Sequence, residues 1–388
     1  MTPAVITPRP MPTDPTPLAA SLAEHIRAWG PITFAKYMDA CLYDPQHGYY
    51  TRAEQLPRRD YFTSVDASPI FGRLLARQFQ EIWVQLEKPA EFLLVELGAG
   101  SGTLASQILD FSEDSFPEFY SALRFVAVER SAARRAAATA AAGPLAKHLA
   151  AARFAAASDM PAQVPCGCIF SNEFFDALPV HRLVREGNDL RELYVGLGAN
   201  GFCEQFGALS SPALAEYLTE QGITLQEGQL AEINLEACAW IKEVGARLAR
   251  GFVLTVDYGH PAEELYDHRH MRGTLLAYEK HRASENFFRA PGEQDLTAHV
   301  NFSALASHGR QAGLQRTGLT SQSNFLLSLA RHSDFADLQS PTMSESQQTR
   351  ARLLFKTLVY PEGMGETFQV LMQHKGLDYP HLSGLDPL

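Results

Sequence analysis

Apolar positions alternate along the chain between two periods. Leu18, Leu22, Ile26 and Trp29 recur at helical spacing, and Gly30-Pro31 ends that pattern; a second amphipathic segment runs from about Thr33 to Tyr43. After the turn-like "YDPQHGYY", a helix is predicted to start near Ser68 with Pro69 at its first position. The pattern then changes. "FLLVEL" (92–97), "LRFVAVER" (123–130), "ARFAAASD" (152–159), "CGCIFSNE" (166–173) and "GFVLTVDYG" (251–259) are compact apolar runs, as strands buried on both faces should be. Helical segments lie between them, one from about Ser131 and one from about Ala231 to Arg250. Such alternation predicts an α/β fold with a mostly parallel, doubly wound, Rossmann-like sheet.

More chain lies between the fourth and fifth strands, and again from about His260 to Phe302, than a crossover needs. "VHRLVREGNDLRELYVG" alternates around Gly187-Asn188 like a hairpin, and "GETFQVLMQHKG" reads as a last strand, antiparallel to its partner. The expected organisation is a disordered proline-rich tail over 1–17, a helical extension and lid over 18–90, and a core over 91–388 with substrate-side insertions at about 178–230 and 260–302.

Charge and composition narrow the chemistry. A net charge of -11 and a pI near 5.6 give a field that repels phosphate backbones, so nucleic acid is not expected as a partner. No apolar run reaches the length of a membrane span, and membrane insertion is not expected. Cys41, Cys166, Cys168, Cys203 and Cys238 are odd in number and lack zinc-site or disulfide spacing, so no metal is expected and a reducing cytoplasm is the expected location.

"VELGAGSGTL" follows the first buried strand and opens a helix. It lacks the lysine of a P-loop, and Thr103 stands where a dinucleotide fingerprint has its last glycine. What remains is acid-x-G-x-G-x-G: Glu96, Gly98, Gly100 and Gly102, with Ser101 inside the turn. Glycines permit positive φ and close approach of a ligand, and the helix that follows presents free N–H groups. That is the pattern of S-adenosyl-L-methionine sites in Rossmann-like methyltransferases. Glu129 ends the second strand, where ribose hydroxyls want a carboxylate; Asp159 and Met160 end the third, where an acid and an apolar side chain suit adenine.

"SNEFFDALPVH" (171–181) poses a separate problem, because an amide, two carboxylates and an imidazole follow a buried strand directly. One reading is a helix start, with Ser171 or Asn172 as cap and Glu173 in the first turn. On that turn Glu173 and Asp176, three apart, would share a face and hold an acceptor. Asn172 is a candidate for the methionine end of the cofactor, and His181 for a proton relay or a loop-stabilising group. Asp257, Tyr258 and His260 form a second-ranked set.

Taken in order, "GPITFAKYMDACLYDPQHGYY", "DYFTSVDASPIFGR", "VELGAGSGTLASQIL", "SNEFFDALPVHRL", "VDYGH", "PGEQDLTAHVNF" and "ETFQVLMQHKG" resemble the MidA-type methyltransferases from about Gly30 to Gly376. The resemblance implies S-adenosyl-L-methionine as cofactor, Thr63 and Ser64 folding over it, and an arginine in a protein as acceptor. It also implies a link to respiratory complex assembly, since the mitochondrial members serve complex I. Two departures bear on substrate: Val65-Asp66 replaces a Pro-Glu, and Asn301 replaces the aspartate of "TAHVDF". A small-molecule acceptor, or cofactor binding without turnover, stays open at this point, as does the oligomeric state, a homodimer included.

Overall fold

A computed structural model describes residues 15–51, 69–279, 282–338, 344–360 and 367–388. The chain forms two compact units: 1–61 with 177–237 and 261–299, and 62–176 with 238–260 and 300–388. Of the expected tail 1–17, residues 1–14 lie outside the described residues, but Pro17 already opens a helix that Thr16 caps by accepting from the Ala19 N–H; the departure Val65-Asp66 also lies outside them.

In the second unit the five apolar runs form strands β1 (Phe92–Leu97), β2 (Leu123–Val128), β3 (Ala152–Ala155), β4 (Gly167–Asn172) and β5 (Gly251–His260), joined by β6 (Gln315–Ser321) and β7 (Phe368–Lys375). Their order in the sheet is β6-β7-β5-β4-β1-β2-β3. β1 to β5 pair in parallel, whereas β7 runs antiparallel to both β5 and β6. Having built β1, β2 and β3 outward, the chain returns to the other side of β1 to add β4, so the strand order reverses between β1 and β4. In open α/β sheets a crevice forms at the carboxyl ends of the strands flanking such a reversal.

The helix Pro69–Gln85 begins at the predicted proline and buries Ile70, Phe71, Leu74, Leu75, Phe79 and Ile82 in a core shared with the strands. Ser131 caps the helix Ala132–Thr139 by accepting from the Arg134 N–H. The segment read as one helix from Ala231 to Arg250 divides. Leu230–Ile233 is a strand in register with His181–Val184, and the helix Leu235–Arg247 follows, with Asn234 Oδ1 accepting from the Ala237 N–H. Pairing with the hairpin outweighs local helix propensity there.

The first unit contains the helices Pro17–Trp29 and Phe34–Tyr43, packed around Phe34, Tyr37, Met38, Leu42, Val195 and Phe202. The predicted hairpin exists, with strands His181–Glu186 and Asp189–Gly198 around Gly187, at φ 62°. The stretch 260–302, which has no clean period, pairs as a small sheet of Leu276–Glu279, Arg282–Ser284 and Asp295–Thr297. Tyr49 is buried, and Tyr50 stacks on Tyr43 while donating to Asp295 Oδ1 at 2.8 Å; the tyrosines of "HGYY" are packing residues.

Candidate active site

Gly98, Gly100 and Gly102 all adopt positive φ, of 70°, 56° and 79°. Their surroundings separate their roles. A Cβ on Gly98 would meet Phe174 Cδ2 at 2.8 Å, and one on Gly102 would meet Phe154 Cζ at 2.9 Å, so the protein's own packing excludes side chains there. At Gly100 the nearest atom among the described residues, chain neighbours aside, stands at 3.8 Å, which leaves the space beside this residue open to a ligand. Gly102 also precedes the helix Thr103–Ser115 without a side-chain cap, leaving first-turn N–H groups available.

Glu129 fixes the turn. Its Oε2 accepts from the Gly100 N–H at 2.8 Å and its Oε1 from the Ser131 N–H at 2.7 Å, leaving a further lone pair on each oxygen. Glu96 is only 3% exposed, and its Oε2 has no hydrogen-bond partner among the described residues. Burial first, and the charge of Glu129 second, hold its carboxyl well above the usual carboxylate range. A buried carboxyl so placed gives up its proton readily only beside a cation, and S-adenosyl-L-methionine carries a sulfonium and an ammonium. Beyond β3, Met160 is buried and Asp159 exposed on a short 3-10 turn.

After β4 the structure corrects the helix reading. Ser171 and Asn172 are strand residues and no helix follows, so Glu173 and Asp176 do not share a helical face. Instead the Glu173 N–H donates to Val256 O at 3.0 Å, carrying the β4–β5 ladder one residue further, and Glu173 itself turns left-handed at φ 52°. Asn172 Nδ2 donates to Glu173 Oε1 at 3.1 Å, while Asn172 Oδ1 is buried without a partner among the described residues. Asp176 is buried and accepts the Tyr258 hydroxyl.

Asp257, ranked second from sequence, proves to be the acceptor for the next two amides, Phe174 N–H at 3.1 Å and Phe175 N–H at 2.9 Å. The available signal was an acid inside a buried strand, masked in the sequence by the turn chemistry of Asp257-Tyr258-Gly259. Asn301 Oδ1 accepts from the Ala304 N–H at 3.0 Å and caps the helix Phe302–Gln311. Aspartate would cap equally well, so this departure has a structural account.

His181 lies in the first unit. It pairs with the fully buried Glu192 at 2.8 Å, the loop-stabilising alternative of its two readings. Burial acts to raise Glu192, but hydrogen bonds from His181 and Ser210 prevail and lower it. Thr63 and Ser64 lie outside the described residues.

Residues 74–320 match Methyltransf_28, the family model for S-adenosyl-L-methionine-dependent methyltransferases. The chain is 30% identical over 391 residues to the mitochondrial protein arginine methyltransferase NDUFAF7 of Rattus norvegicus, covering 93% of this chain and 86% of the relative. For the Danio rerio protein of the same name the figures are 32% over 372 residues, 90% and 84%. A crystal structure of a superfamily member from Burkholderia thailandensis bound to S-adenosyl-homocysteine superposes with a TM-score of 0.82 at 30% identity, covering 96% of this chain and 97% of that one.

The mitochondrial relatives overturn the expected cytoplasmic location. All five cysteines are free. Among the described residues no helix is long and apolar enough to cross a membrane.

Proposed function

The chain belongs to the Methyltransf_28 family of S-adenosyl-L-methionine-dependent methyltransferases, and from that premise we propose that it methylates an arginine in a protein substrate. The observation that carries the proposal is the meeting of two loops at the β1/β4 reversal. One offers an open glycine and a buried acid, Glu96, whose Oε2 has no partner among the described residues, and the other offers an amide and a carboxylate. Relatives named as protein arginine methyltransferases supply the acceptor class.

In this reading Glu96, Gly98, Gly100, Ser101, Gly102, Glu129, Asp159, Met160 and Asn172 hold the cofactor. Bound there, the cofactor supplies an electrophilic methyl group on sulfur. The residues' own task is alignment and charge. An arginine guanidinium stays protonated far above neutral pH and is a poor nucleophile while its charge is delocalised. Glu173 fixes its plane, biases charge away from the attacking nitrogen and takes the proton released as that nitrogen is methylated. Asp176, held by Tyr258, adds negative charge behind it.

Incubating the protein with S-adenosyl-L-methionine labelled on its methyl group and a cell lysate, then hydrolysing the protein fraction, tests this. Label in methylarginine is the expected result. Label confined to small molecules would move the acceptor to a metabolite and refute the proposal.

A further inference from the structure

Asp257 belongs to β5, yet its side chain serves the loop after β4. Oδ2 accepts from Phe174 and Phe175, and Oδ1 accepts from the Tyr258 N–H at 3.0 Å. The next residue, Tyr258, donates its hydroxyl to Asp176 Oδ2, and the preceding one, Val256, receives the Glu173 N–H. Three successive residues of one strand therefore hold four successive residues of the loop. Asp257 is wholly buried. Burial and the charges of Asp176 and Glu173 push its carboxyl upward, against the lowering effect of the Phe175 and Phe174 amides.

The held loop leans on the glycine turn. The Phe174 ring occupies the place where a Gly98 side chain would go, and its other side meets Trp240 edge-on, with ring centroids 5.4 Å apart. The loop pivots at Glu173, whose left-handed backbone costs on the order of 1 kcal/mol and persists only where its surroundings impose it. The Asp257 carboxylate is what imposes it, because it claims the two amides that follow.

We propose that Asp257, assisted by Tyr258, is the positioning residue for methyl transfer: it seats the 172–176 loop against the glycine turn and so fixes where Asn172 and Glu173 stand. This rests on the reading of that loop as facing cofactor and acceptor. Asp257 itself is buried, and its carboxyl oxygens are occupied by the Phe174, Phe175 and Tyr258 N–H groups.

Trp240 reports on the loop directly. Replacing Trp29 and Trp83 by phenylalanine in the full chain leaves it as the only tryptophan. In that background Asp257→Asn keeps the shape but places an NH2 group where a backbone N–H needs an acceptor. The expected result is shifted Trp240 emission and S-adenosyl-homocysteine binding at least tenfold weaker, in protein that still unfolds cooperatively. A carboxylate serving stability alone would lower the urea midpoint while leaving the folded protein's emission and affinity at parental values, and that result overturns the proposal. Tyr258→Phe, which removes the hydroxyl donated to Asp176, should keep S-adenosyl-homocysteine affinity within threefold and slow label transfer to lysate protein at least tenfold. If Asp257→Asn fails to fold, a parental transfer rate in Tyr258→Phe overturns the proposal by itself. A parent that neither binds S-adenosyl-homocysteine nor transfers label would sink the functional reading instead, while the emission difference between parent and Asp257→Asn would still decide the positioning role.

Discussion

Replacing Gly100 by alanine should damage binding far more than folding, and replacing Gly102 should do the reverse. At Gly100 the new methyl group meets nothing closer than 3.8 Å among the described residues, so folding bears chiefly the left-handed backbone of a non-glycine residue, about 1–2 kcal/mol. At Gly102 the same backbone cost is joined by contacts of 2.9 and 3.2 Å with the Phe154 ring. Overpacking of that kind adds about 1–3 kcal/mol, for a total of about 2–5 kcal/mol. For the ligand the order inverts. A methyl group standing where the cofactor meets the Gly100 backbone should cost a similar ~1–3 kcal/mol in binding, or about 5- to 150-fold in affinity. Urea unfolding followed by the fluorescence of Trp83 and Trp240, both in the second unit, measures the first quantity. Calorimetry with S-adenosyl-L-methionine measures the second. Unchanged affinity in Gly100→Ala would refute the assignment of that space to the cofactor, and equal destabilisation by the two variants would refute the packing argument.

Further outcomes follow from the same geometry. Glu96 holds its proton more tightly in the folded than in the unfolded state, so its stabilising effect is complete below the unfolded pKa near ~4.3 and is lost as pH rises through the higher folded value. Glu96→Gln should therefore flatten the decline of the urea midpoint above about pH 4.3, and a slope identical to the parent's would contradict this. Glu173→Gln should reduce label transfer about 10²- to 10⁴-fold while S-adenosyl-homocysteine affinity stays within threefold; equal rates would remove it from the chemistry. Asn301→Asp should leave both stability and transfer near parental, whereas Asn301→Ala should cost about 1 kcal/mol in urea unfolding, through the lost cap on Ala304.

Much of the fold is legible in the sequence because its signals are local. The apolar runs at 92–97 and 251–259, the glycine turn between strand and helix, and the alternation around Gly187 each carry their meaning within ten residues or so. What fails to show is settled by residues far apart in the chain. Ser171 and Asn172 look like helix caps, and the amides that a helix would have used are taken by Asp257, more than eighty residues later. Leu230–Ile233 looks helical until the hairpin at His181–Val184 offers it a partner. The three glycines look alike in sequence, and only Phe154 and Phe174 distinguish the two that are packed from the one that is open.

The position of β7 has a consequence for the protein's birth on the ribosome. The strand made last lies inside the sheet, between β5 and β6, rather than at its rim. Until residues 368–375 emerge, β5 has a bare edge on that side. At ~5–20 residues per second, the interval from the start of β5 to the end of β7 lasts about 6–25 s. Throughout it a long apolar strand stands ready to pair with any extended segment within reach, its own chain or another. A chain shortened before residue 368 would keep that edge permanently, and nascent chains stalled there are where aggregation should begin.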